Sequence, residues 1–274
     1  MSKVREPITF RAHPNEPELP GVSQRARDPG QSMFLRRCQT AVNIAVGFDL
    51  DHTLCADNHL EYSVLRELLS IDLSPAEVQS LEAMIHHALT EYREQGVPLI
   101  TALGRLFHYR FGSEVNVPRW FFRFRDLSVE RVATQVRARN GLHEMFVRLR
   151  VAGAHTAVLT NGWNPLQRRK LAALGITAPL VVSDDLRVRK PSLEAFAALR
   201  AVLAPADQFW FVGDDPVADI AGARRAGFHT IWYDEGESWP QGLPGPDLRV
   251  RTLLDVADFL ERSASRHGVP EPNG

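Results

Sequence analysis

Net charge and cysteine, two features that often betray a partner or a compartment, are both scarce in this sequence. Its 32 basic and 33 acidic side chains nearly cancel, leaving a formal net charge of -1. Such a chain has no long-range field suited to nucleic acid or an anionic membrane, so any anion it binds must meet a local cluster. Cysteine occurs only as Cys38 and Cys55, without metal-like spacing. Cys55 lies beside an acidic motif that a crosslink would disturb, which points to a reducing, cytoplasmic setting. No apolar run approaches a membrane span, and the N-terminus lacks the basic-then-apolar order of a secretory signal. What the chain does have is 44% hydrophobic residues in 274. That is enough to bury the core of one large domain, or of a domain carrying an insertion.

Residues 1–40 mix Pro, Gly, Arg, Glu and Gln without periodicity and read as a disordered tail, within which Met33 is a possible alternative start. An apolar run, Asn43 to Phe48, then reads as a buried parallel strand ending at acids. From Asp57 to Asn140 the pattern is helical and contains no convincing strand. Ser74-Pro75-Ala76-Glu77 supplies an N-cap, a proline at the first helical position and a capping-box glutamate. After Gly141 short apolar runs alternate with helices: His155 to Leu159, Pro179 to Val182, Gln208 to Val212 and Phe228 to Tyr233. Gly153, Gly175 and Gly227 stand as helix stops between them. This is a repeated βα pattern and predicts a Rossmann-like α/β domain over 41–56 and 141–262, interrupted by an all-helical insertion over 57–140 and followed by a frayed tail over 263–274.

Ligands of an open parallel sheet bind beyond the carboxyl ends of the strands, so the residues that follow each apolar run belong together. They are Asp49, Asp51 and Thr53, then Thr160-Asn161-Gly162, then Lys190-Pro191, then Gly213-Asp214-Asp215 with Asp219. If the first strand persists, alternation puts Asp49 and Asp51 on one face and turns His52 away, which leaves His52 a packing or flap role rather than a catalytic one. Buried carboxylates repel one another unless a cation compensates. Magnesium prefers hard oxygen ligands and often takes only one or two carboxylates, a part Asp49 and Asp214 are suited to share. A hydroxyl at Thr160 and the ammonium of Lys190 suit the non-bridging oxygens of a phosphoryl group, leaving Asp51 free for proton transfer.

Together these motifs resemble the haloacid dehalogenase-like hydrolase superfamily, and more narrowly its helical-cap, phosphoglycolate phosphatase-like members. In that superfamily DxDxT, a Thr or Ser after the second strand, a Lys, and an acidic GDxxxxD-like motif form the active site. The resemblance covers residues 43 to about 262. It implies that Asp49 is a nucleophile forming an aspartyl-phosphate, and that Asp51 protonates the leaving oxygen and then activates water. Magnesium would be held by Asp49, the Asp51 carbonyl and Asp214. Thr160, Asn161 and Lys190 would bind phosphate and Thr53 would orient the motif. Asp215 or Asp219 would support the metal, and the doubled acid Asp214-Asp215 leaves that division open.

The dehalogenases of this superfamily lack the second aspartate because halide leaves without a proton, whereas an alkoxide needs one. Asp51 therefore favours a phosphatase acting on a small phosphorylated metabolite. Phosphonate hydrolysis would need a cap lysine, and residues 57–140 contain none. A phosphosugar mutase, or a non-catalytic phosphate-binding or regulatory protein that keeps the fold, is the alternative. The run Arg119-Trp120-Phe121-Phe122-Arg123-Phe124-Arg125 has the composition of a nucleic-acid patch. On an amphipathic helix, however, its aromatics suit the core and its arginines the rim, so nucleic acid is not expected.

Overall fold

The computed structural model describes residues 42–56 and 59–265. The tail expected over 1–40 lies outside them, as do residues 266–274. Chain order runs as follows: β1 (Ile44–Phe48), β2 (Cys55–Ala56), α1 (Leu60–Leu69), α2 (Pro75–Arg93), α3 (Leu99–Phe111), α4 (Val117–Gln135), β3 (Arg137–Ala138), α5 (Leu142–Val151), β4 (His155–Thr160), α6 (Leu166–Ala173), β5 (Leu180–Val182), α7 (Ser183–Leu186), α8 (Leu193–Leu203), β6 (Gln208–Gly213), a π-helical turn (Pro216–Ala221), α9 (Gly222–Arg225), β7 (His229–Tyr233), β8 (Leu248–Val250) and α10 (Leu253–Ser265). Helix α10 thus runs past the boundary expected at 262.

Among the described residues one sheet has the order β5-β4-β1-β6-β7-β8, with every neighbouring pair parallel. The chain leaves β1 toward β4 on one side and later returns to β6 on the other, so β1 sits at the point where strand order reverses. Crevices for ligands form at such points. Both faces of β1 are covered, which is why its sequence is apolar without interruption. Ile44, Val46 and Phe48 join a large buried cluster with Leu65, Leu103, Phe107, Phe124, Met145 and Leu260. On the opposite face Ala45 packs with Phe196, Leu199 and Phe211. Gly47 lets that layer approach closely, since a Cβ there would lie 2.5 Å from Leu199 Cδ2 and 2.9 Å from Phe211 Cδ2.

Helices α1 to α4 follow one another between β2 and β3, in the span read as an insertion. The Ser74 hydroxyl caps Glu77 N–H, and the Glu77 carboxylate accepts from Ser74 N–H at 2.8 Å. A cap of this kind is worth about 1 kcal/mol. One expectation fails here, because the span 57–140 does contain a strand. Arg137–Ala138 pairs antiparallel with Cys55–Ala56. Two residues are too few for a period to show in the sequence, and the pairing exists only because the two ends of the insertion meet.

Beyond β7, Asp234 is 3% exposed and ties the last strand to the sheet. It accepts from Gly236 N–H at 2.8 Å, from Arg249 Nη2 at 2.7 Å and from Arg251 Nε at 3.0 Å. The Gly236 N–H first, and then the two arginines, hold its carboxyl down at about 2. A folded pKa below the unfolded value gives stability that is present above about pH 4 and lost as pH falls toward 2. Asp234→Asn should therefore lower the urea midpoint at neutral pH, with the gap from wild type closing below about pH 3. A gap that stays constant from pH 7 to 3 would refute this account.

Candidate active site

β1 delivers Asp49 to the sheet edge, where its backbone N–H still donates to Val212 O of β6 at 2.9 Å. That bond keeps Asp49 beside Asp214, which follows β6. The strand does not persist beyond Phe48. Instead Leu54 and Cys55 N–H turn back to Leu50 O at 3.0 and 3.1 Å. Alternation therefore does not govern the next residues. His52 takes a left-handed backbone (φ 64°) and lines the cavity with Asp49 and Asp51, against the expectation that alternation points it away from them.

Lys190 Nζ is buried between two carboxylates, donating to Asp49 Oδ1 and, at 2.7 Å, to Asp219 Oδ1. Thr53, fully buried, donates its hydroxyl to Asp214 Oδ1 at 2.8 Å. Asp49, Asp214 and Asp219 each offer an oxygen within 4.8 Å of the others. The doubled acid is thereby divided. Asp219 belongs to the cluster, while Asp215 Oδ1 accepts from Val217 and Ala218 N–H at 2.7 and 2.8 Å, capping the π-helical turn. Gly213 makes room for this, since a Cβ there would sit 2.4 Å from Asp219 Oδ2.

Asn161, the middle residue of Thr160-Asn161-Gly162, braces the loop that carries Lys190. Its side-chain amide donates to Lys190 O and accepts from Lys190 N–H, both at 2.9 Å, so it fixes the backbone that carries the ammonium. Thr160, 1% exposed, accepts from Gln167 Nε2 at 3.0 Å, which leaves its own hydroxyl hydrogen to donate elsewhere. Asp51 has its own cation, Lys170, whose Nζ donates to Asp51 Oδ1 at 2.6 Å. Gln167 and Lys170 were not anticipated. The available signal was a glutamine and a lysine on the face of α6 that also carries Leu166 and Leu171, all four buried.

Burial raises Asp49, Asp214 and Asp219 each to about 7, with neighbouring carboxylates adding to the effect and Lys190 opposing it. For Lys190 burial works the other way, but Asp219 and Asp49 outweigh it and the net shift is upward. Asp51 is also penalised by burial, yet Lys170 and Gln167 more than offset this and hold it below the usual carboxylate range. The two acids of the first motif therefore differ. Three clustered carboxylates with one ammonium form an all-oxygen, anion-rich set that fits a divalent cation such as magnesium, whose charge would keep all three ionised.

The cavity above these groups is about 260 Å³ and is lined from the insertion by Glu61, Tyr92, Arg93 and Glu94. Glu61 bridges outward, accepting from Trp163 Nε1 and from Arg93 Nη2, both at 2.8 Å. Arg125 donates to Asn164 O and stacks over the Trp163 ring, with its guanidinium carbon 4.7 Å from the centroid.

Comparison with known proteins agrees with this architecture. A phosphoserine phosphatase of Thermus thermophilus is 36% identical over 108 residues, covering 38% of this chain and 43% of that protein. A glyceraldehyde 3-phosphate phosphatase of Pyrococcus furiosus is 29% identical over 231 residues, covering 78% of this chain and 90% of its own length. Among solved structures, the HAD-hydrolase YfnB of Bacillus subtilis, bound to magnesium, superposes with a TM-score of 0.62 at 20% identity, covering 80% of this chain and 98% of that one. Among the described residues no helix is long and apolar enough to cross a membrane. The pattern of the haloacid dehalogenase-like hydrolases matches residues 45–227, and the chain belongs to that family.

Proposed function

We propose that this hydrolase is a magnesium-dependent phosphatase that cleaves a small phosphomonoester through an aspartyl-phosphate on Asp49. The observation that carries this reading is the Asp49, Asp214 and Asp219 cluster, with Lys190 bonded to Asp49 and Asp219, beside a further carboxylate, Asp51, with a cation of its own. The phosphatases among its relatives support it, and the modest cavity favours a compact substrate. The Asp49 carboxylate attacks phosphorus as the bond to the leaving oxygen breaks, and Asp51, which takes up a proton as the phosphoryl group's negative charge binds beside it, gives that oxygen the proton. Water then attacks the phosphoenzyme, passing a proton to Asp51, and the bond from phosphorus to Asp49 breaks. Lys190 and the Thr160 hydroxyl hold the non-bridging oxygens, where charge accumulates. Magnesium, held by Asp49, Asp214, Asp219 and the Asp51 carbonyl, would supply charge neutralisation at the phosphoryl group. Helices α1 to α4 act as a lid that excludes water and selects the substrate.

Rapid-quench measurement of phosphoenzyme formation tests the division between the two acids. Asp49→Asn should form no phosphoenzyme from any substrate. Asp51→Asn should slow its formation from alkyl phosphates about 100-fold or more, while aryl phosphates, which leave as stable anions, lose far less. Equal losses on the two classes would remove Asp51 as the proton donor.

The raised acids give a second expectation, read on stability. Between about pH 4 and 7 the metal-free folded state holds more protons than the unfolded chain, so its stability falls as pH rises through that window. Its Tm should be lower at about pH 8 than at about pH 5.5, and magnesium should raise it more at the higher pH. A magnesium effect independent of pH would mean these acids do not bind it.

The insertion should govern the choice of substrate. Arg93→Ala, at the cavity wall, should change KM for anionic substrates by about tenfold, equivalent to one charged hydrogen bond, and leave the half-saturating magnesium concentration unaltered. An unchanged ranking across a panel of small phosphates would place selectivity in the sheet domain.

A further inference from the structure

Arginine outnumbers lysine 29 to three in this chain, the lysines being Lys3, Lys170 and Lys190. Two of those three are buried at the same site, Lys190 at 4% and Lys170 at 1% exposure. Lys190 falls in a recognised motif and Lys170 does not. Lys170 stands three residues after Gln167 on α6, so the two side chains leave one face of the helix together. Lys170 Nζ donates to Asp51 Oδ1 at 2.6 Å and Gln167 Nε2 to Asp51 Oδ2 at 2.7 Å. The same Gln167 nitrogen reaches Thr160 Oγ1 at 3.0 Å.

We propose that Gln167 and Lys170 form a positioning clamp that fixes the carboxyl plane of Asp51 relative to Thr160, aiming its proton at the leaving oxygen. This rests on the reading of Asp51 as proton donor given above. Each carboxylate oxygen has two lone-pair directions, and the clamp occupies one on each from the α6 side. Cys55 Sγ makes a long contact of 3.9 Å to the same Oδ1, and 22% of the Asp51 side chain stays exposed where Asp51 lines the cavity.

Three further observations separate a clamp from ordinary packing. A buried ammonium carries a desolvation penalty that a leucine or methionine on that face of α6 would avoid. An arginine would grip both oxygens with its fork, whereas the compact ammonium takes one and leaves the other to Gln167, and so to Thr160. Finally, the Gln167 amide lies across Gly162. A Cβ at 162 would sit 2.4 Å from Gln167 Nε2 and 2.8 Å from both Cδ and Cγ. The glycine of Thr160-Asn161-Gly162 is thus the space through which the clamp reaches Asp51. Gln167 accepts a cost for this position, since its buried Oε1 has no partner among the described residues.

Crystal structures and single-turnover kinetics of Lys170→Met, Lys170→Arg and Gly162→Ala test the clamp. In Lys170→Met the Asp51 carboxyl should leave its present rotamer. Phosphoenzyme formation from alkyl phosphates at saturation should fall about 100-fold, the range of a lost general acid, while aryl phosphates fall less than about tenfold. The substrate concentration for half-maximal rate should hold within about threefold, and Lys170→Arg should recover only part of the loss. Gly162→Ala keeps every charge and displaces only Gln167, so it gives the same substrate-selective loss even if Lys170→Met fails to fold. An unmoved Asp51, or equal loss on both substrate classes, overturns the clamp. Asp51→Asn measured in parallel tells the two failures apart. If Asp51→Asn is selective and the clamp variants are not, the clamp alone falls; if Asp51→Asn is not selective, both fall.

Discussion

Three clustered carboxylates, two buried and one half-buried, beside one ammonium are the constraint to which the rest of the sheet edge is fitted. Asp49, Asp214 and Asp219 repel one another, and Lys190 neutralises only one charge. Such a group is tolerable in a folded interior only when each member is held in place and a cation can complete it. The surrounding residues do that holding. Thr53 fixes Asp214, Asn161 fixes the Lys190 backbone, Asp215 caps the turn that presents Asp219, and Gly213 leaves the gap into which Asp219 folds. None of these four need touch a substrate. Each converts electrostatic repulsion into a defined geometry, which is what a site for charge-rich chemistry requires.

The parts legible in the sequence were those encoded locally. Buried parallel strands need apolar residues on both faces, so β1, β4, β5, β6 and β7 announced themselves, and Ser74 to Glu77 carried the start of α2 in four residues. Strand β8 has one exposed and one half-exposed residue in three, too little signal to separate from a turn. The acids were legible as a set because they follow strands, but their roles were not. Whether Asp215 or Asp219 enters the cluster depends on the turn between them, in which Asp219 and Ile220 N–H both reach back to Asp215 O. His52 was misplaced because alternation was carried past Phe48, where the strand stops. Lys170 was invisible for a further reason. A lysine on a helix normally reads as a solvated position, and only tertiary contacts such as that with Asp51 make its burial intelligible.

The enclosure of the site follows from the same economy. Phe48 of the sheet and Phe107 and Phe124 of the insertion share one buried cluster, so the two regions are packed together and not merely tethered. Polar contacts are kept for the mouth of the cavity, where Glu61 meets Trp163, Tyr92 meets Asp184 and Arg125 meets Asn164. Apolar burial is tolerant of small displacement, whereas hydrogen bonds are directional. The adhesion and the alignment of the two regions are thus carried by different kinds of interaction.

The short pairing of Cys55–Ala56 with Arg137–Ala138 has a consequence for how such a protein can change over generations. Antiparallel pairing pins the two ends of the insertion about 5 Å apart, whatever lies between them. The sheet therefore experiences the whole helical segment as a single loop of fixed gauge. Helices within it can lengthen, shorten or be exchanged for others without shifting the register of β1 against β4 or β6. Selection can then act on the two halves at different speeds: the acids at the strand ends are held by one another, while the insertion's side of the cavity wall is free to drift.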